Sequence, residues 1–143
     1  MPGCFVDSNV FLRFYTADDS KQQATAQKMF LKAKAGELEL FCGPPVFFEI
    51  AWVLKSRYKI PSAMILDKLE SILTIPNMHV FDEDYVKRAI SLARENNQSY
   101  PDAYIAVVSQ DKHIGVISFN EKHFTRLGIE LYPLESDKKS CNI

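Results

Sequence analysis

A chain of 143 residues suits one compact domain and leaves little for a second. Hydrophobic residues at 47% and charged residues at 24% exclude a disordered or fibrous protein. A formal net charge of -1 excludes a global basic field, so contact with nucleic acid would have to rest on a local basic patch.

Taken in chain order, Phe5-Val6 reads as a short buried strand ending at Asp7. Helical spacing runs from about Ser20 to Ala35, with Lys21, Ala24, Ala26, Met29, Phe30 and Ala33 in register and Gly36 as a stop. Leu38 to Phe41 is a second apolar strand, closed by Gly43-Pro44-Pro45. Pro45 suits the first turn of a helix carrying Phe48, Glu49, Ala51, Trp52, Leu54 and Lys55. Pro61-Ser62 opens another, through about Ile72, whose apolar stripe fits the core or a partner face. Met78 to Phe81 is a third strand, and Asp82 or Asp84 is placed to cap a helix running to about Glu95. Pro101-Asp102 starts an apolar helix through Ser109, and two last strands are expected at Gly115 to Ser118 and Ile129 to Tyr132. Short apolar strands alternating with helices call for the α/β class: a three-layer α/β/α sandwich around a mainly parallel sheet. Ligands of such sheets sit at the carboxyl ends of the strands. The domain is expected over residues 1–135, with a polar tail over 136–143.

Cys4, Cys42 and Cys141 are odd in number and lack a C-x-x-C spacing. That pattern argues against a disulfide framework or a zinc site and for a reducing cytoplasm. No secretory signal is legible, and no segment approaches the ~20 apolar residues of a membrane span.

Three acids stand out from the rest. Asp7 follows the first strand, Glu49 sits in the apolar run Val46 to Leu54, and Asp102 occupies the first turn of an apolar helix. An unpaired buried carboxylate needs a cation, a set of hydrogen bonds or a raised pKa. Each acid alone has a plainer role open to it. Asp102 is favourable to a helix dipole, Asp7 can form an Asx-turn with Asn9, and Glu49 can pair with a lysine or arginine. One shared Mg²⁺ or Mn²⁺ accounts for all three, because these hard ions prefer carboxylate oxygens.

Phe5-Val6-Asp7-Ser8-Asn9-Val10-Phe11 resembles the opening strand-acid-x-Asn motif of PIN domains. Val46-Phe47-Phe48-Glu49 resembles their second motif, and Tyr100-Pro101-Asp102-Ala103-Tyr104-Ile105-Ala106 their third. Ser118-Phe119-Asn120-Glu121-Lys122-His123-Phe124 is similar to the closing element. The ordered set spans residues 4 to 132. The resemblance implies a metal-dependent endoribonuclease of the VapC-like toxin sort, a homodimer neutralised by a small antitoxin protein. It also implies that Asp7, Glu49 and Asp102 are the metal-binding catalytic carboxylates, that Asn9 is a polar contact to the site or substrate, and that Ser118 helps orient the site. Asn120 stands where the family commonly has a fourth acid. Its amide oxygen can still ligate a cation but adds no charge, which implies weaker metal affinity, and Glu121 beside it is expected on a short turn.

Arg13 and Lys55, each just after a motif, are placed to meet the RNA backbone; a solvated helix end is the plainer reading of the run Lys55 to Lys59. His123 reads as packing or surface rather than as a general base. The rival function is a non-catalytic PIN-like module that binds RNA or protein through a weakened site, and Asn120 favours it. A nucleotide-binding domain is disfavoured by the lack of G-x-G-x-x-G and G-x-x-x-x-G-K-[ST].

Overall fold

The computed structural model describes residues 1–134; Cys141 and the tail expected at 136–143 lie outside the described residues. Three parallel strands, β1 (Gly3–Phe5), β2 (Glu39–Cys42) and β3 (Met78–Val80), form one sheet in the order β1-β2-β3. Phe5 is in register with Phe41, and Phe41 with His79. Seven helices among the described residues flank the sheet: α1 (Ser8–Tyr15), α2 (Ser20–Lys34), α3 (Pro44–Ser56), α4 (Ser62–Leu73), α5 (Glu83–Asn96), α6 (Tyr100–Lys112) and α7 (Glu121–Arg126). The class is the expected α/β with a parallel sheet. No helix among the described residues is long and apolar enough to cross a membrane.

The local chemistry explains most boundaries. Asp19 caps α2 by accepting the Gln22 backbone N–H at 3.0 Å. Gly36 ends the helix region at φ 78°, a left-handed conformation that glycine, having no Cβ, adopts without steric cost. Pro44 and Pro45 occupy the first turn of α3, where their missing N–H groups cost nothing. Helix α4 buries Ile65, Leu66, Leu69 and Ile72 at helical spacing and leaves Met64 half exposed, so its apolar stripe belongs mainly to the core.

Several expectations need correcting. Residues Gly3 to Phe5 are exposed, because β1 stands at the end of the sheet with one neighbour, and only Val6 after it is buried. Residues 8–15 form a helix that Asp7 caps from the β-region, accepting the Ser8 N–H at 2.8 Å. Asp82 precedes α5 as anticipated but has φ 54° and makes no capping bond. The last two strands shrink to one parallel bridge between Val116 and Leu131. The backbone pairing there is limited, among the described residues, to two bonds, Val116 N–H to Glu130 O at 3.0 Å and Tyr132 N–H to Val116 O at 2.8 Å. Glu121 lies in the first turn of α7, not on a turn.

The central strand carries the core. Leu40 and Cys42 on β2 are fully buried, packed among Phe11, Phe47, Ile50, Leu54, Leu69 and Ile72. Burial pushes the Cys42 thiol up to about 12, so it stays protonated in neutral solution. Alkylation of the folded protein at about pH 8 is therefore expected to label exposed Cys4 and spare Cys42 until denaturant is added. Peptide mass spectrometry reads this directly, and early labelling of Cys42 would contradict its burial.

Candidate active site

Parallel strands put all their carboxyl ends on one edge of the sheet, and two acids follow strand ends there. Asp7 follows β1 by two residues and Asp82 follows β3 by two. Helix α3 starts directly after β2 and carries Glu49 in its second turn. The first turn of α6 is tied to the first turn of α3 by aromatic contacts. The Tyr100 ring lies 6.2 Å from Phe47 and 5.5 Å from Phe48, the two residues before Glu49. That packing brings Asp102, two residues after Tyr100, to the α3 side of the molecule.

The surroundings of the three expected acids differ. Asp7 is exposed; its Oδ1 accepts from the Ser8 N–H, and its Oδ2 has no partner among the described residues. Glu49 is also exposed, which corrects the expectation of a carboxylate sunk in an apolar helix. Helix α3 buries Val46, Phe47, Ile50, Ala51, Val53 and Leu54, and turns Glu49, Trp52 and Lys55 outward. Asp102 is the most sheltered, its side chain 21% exposed, and its Oδ2 lies 3.0 Å from His123 Nδ1. The Asp102 backbone N–H donates to Ser99 Oγ at 3.4 Å, the capping bond of α6. His123 was expected as packing or surface; it is half exposed and contacts one of the proposed site residues. Nothing in the one-dimensional pattern signals this pairing across 21 residues.

The remaining expected residues divide into two groups. Ser118 Oγ accepts the Asn120 backbone N–H at 2.9 Å and so fixes the entry into α7. Asn120 itself is exposed at the N-cap position and makes no side-chain cap bond. Asn9 is exposed in the first turn of α1. Arg13 turns toward the start of α2: its Nε donates to Gln22 Oε1 at 2.8 Å, and its guanidinium lies 3.8 Å from Asp18. Lys55 is exposed on α3 and has no ion-pair partner among the described residues. Asp82, read from the sequence only as a cap, is a further acid at this edge. It helps raise the Tyr104 hydroxyl above its usual range, after burial, which is the larger cause.

No group of three or more His, Cys, Asp or Glu side chains among the described residues is gathered closely enough to hold a cation. Asp102 and His123 are brought together; Asp7 and Glu49 stand on neighbouring elements. No Lys or Arg among the described residues is within ion-pairing distance of Asp7, Glu49 or Asp102. Three carboxylates without a lysine or arginine partner among the described residues make a donor set suited to an oxygen-preferring divalent ion. The fit to such an ion rests on that donor chemistry and not on a closed cage.

The model of the PIN domain family matches residues 4–130. A search of curated proteins finds no match.

Proposed function

The chain belongs to the PIN-domain family, a family of nuclease modules that generally use divalent metal, and from that premise we propose that it is a Mg²⁺- or Mn²⁺-dependent endoribonuclease. The observation that supports this most is the set of three acids on β1–α1, α3 and α6 with no lysine or arginine among the described residues to neutralise them. Asp7, Glu49 and Asp102 would hold the cation, with the Asn120 amide as a weaker fourth donor. A cation bound there supplies positive charge against the phosphate oxygens and lowers the pKa of the attacking water.

The chain's own groups do the positioning. His123 engages Asp102 Oδ2, which restricts the carboxylate and leaves Oδ1 without a partner among the described residues. Ser99 holds the backbone of the same residue, and Ser118 holds that of Asn120. Lys55, on the same exposed strip of α3 as Glu49, is available to an RNA phosphate. Arg13 has the same charge but is already engaged by Gln22 and Asp18, so it is the weaker contact.

We assign the protein to the toxin side of a toxin–antitoxin pair, acting in the cytoplasm as a homodimer that a small antitoxin protein neutralises. The family resemblance of its motifs supports that assignment. A second reading, a non-catalytic module binding RNA or protein, draws support from Asn120 in place of an acid. Metal removal separates the two. Wild-type protein is expected to cleave RNA in Mn²⁺, to stop in EDTA, and to resume when Mn²⁺ is restored. Cleavage indifferent to EDTA rejects the metal, and RNA binding with neither cleavage nor a calorimetric Mn²⁺ signal favours the non-catalytic module.

A further inference from the structure

Trp52 is the chain's only tryptophan, and it stands 67% exposed on the outer strip of α3. Beside it a pocket of about 150 Å³ opens between α3, α4 and the start of α6, with Trp52, Lys55, Ser62, Gln98, Ser99 and Pro101 in its wall. The lining holds one cation and no acid. Two of the pocket's wall residues adjoin candidate acids along the chain: Glu49 lies one turn before Trp52 on α3, and Asp102 follows Pro101 directly.

We propose that Trp52 and Lys55 form a subsite for one unpaired nucleotide of an RNA substrate, the indole stacking on the base and the ammonium meeting a flanking phosphate. The choice of RNA as occupant rests on the nuclease reading; the geometry of the subsite does not depend on the metal. An exposed indole offers a π-face that any base can use, and base–aromatic stacking is the usual device of single-strand binders. Lys55, without an ion-pair partner among the described residues, provides the complementary charge that a net charge of -1 does not provide globally. Ser62, Gln98 and Ser99 bring hydroxyl and amide groups to the wall, able to donate to or accept from a base edge. A base inside a duplex is stacked on its neighbours and cannot reach the indole, so the subsite selects loops, bulges and ends.

Because Trp52 is the sole tryptophan, its emission reports on this site alone. In EDTA, titrating a single-stranded oligoribonucleotide is expected to quench that emission saturably, while a duplex of the same sequence leaves it unchanged. Anisotropy of a labelled strand is expected to show Trp52→Ala binding about tenfold more weakly and Trp52→Phe within a few-fold of wild type. Lys55→Ala is expected to weaken binding and flatten the salt dependence. A strand that binds by anisotropy without quenching, or with full affinity for Trp52→Ala, overturns the subsite and leaves the nuclease reading intact. A concentration-dependent blue shift of the free protein, with self-association that Trp52→Ala abolishes in sedimentation, overturns it in favour of a second copy on this face. Failure of any RNA to bind overturns the subsite, and Mn²⁺-dependent cleavage then decides the nuclease reading separately.

Discussion

Asp102→Asn is expected to reduce Mn²⁺-dependent RNA cleavage by about a hundredfold or more while leaving the protein folded. The substitution removes one anionic donor and keeps the shape of the side chain. Losing a group that merely supports a metal ligand costs about 10–100-fold, so losing a ligand sets the lower bound near the top of that range. The fold has little at stake. Ser99 Oγ accepts from the backbone N–H of residue 102, which the change does not touch, and an amide oxygen can still accept from His123 Nδ1. What is lost structurally is a favourable charge at the start of α6, worth roughly 0.3–1 kcal/mol. The expected result is near-unchanged thermal unfolding, weaker Mn²⁺ binding by calorimetry and a collapse in rate. Undiminished cleavage by Asp102→Asn would remove this residue from the site, and with it the case for a metal held there.

Most of the fold was legible because its punctuation is chemical. Gly36 past α2, the prolines at Pro44 and Pro61, and the spacing of Ile65, Leu69 and Ile72 each impose one backbone answer. Where the reading failed, one residue type served two ends. Asp7 follows an apolar run and reads as the end of a strand; that same carboxylate starts a helix of eight residues, whose run Val10 to Tyr15 is interrupted only by Arg13 and is too short to show a helical period. Six residues of α7 are too few for a helical period to show. Glu49 shows a different limit. Its neighbours are apolar, so burial was inferred, yet Trp52 shares its exposed strip. Apolar residues are permitted outside, so an apolar neighbourhood in sequence does not establish a buried face. The acids themselves were visible, since a carboxylate after a strand or at a helix start is a local pattern. The contact between Asp102 and His123 was not, because it depends on where α7 docks.

Phe47→Ala is expected to destabilise the protein by about 3–5 kcal/mol, a large share of the roughly 5–15 kcal/mol that holds a domain of this kind together. Phe47 is fully buried on α3 and packs near Tyr100 at the start of α6. Truncation removes the transfer energy of a phenyl ring and leaves a cavity between helices that cannot fully close. Urea unfolding is expected to show a lower midpoint at an unchanged slope. A cost below about 1.5 kcal/mol would mean that the site repacks and that the α3–α6 contact is not a fixed one. The same contact holds Glu49 and Asp102 in one neighbourhood, so this variant will also lose activity, but for a different reason than Asp102→Asn. Its loss should follow the unfolded fraction, recovering as the assay is moved well below the new midpoint, whereas the loss in Asp102→Asn should persist at every temperature where the protein is folded. A Phe47→Ala defect that persists in fully folded protein would instead show that Phe47 sets the spacing of the acids directly.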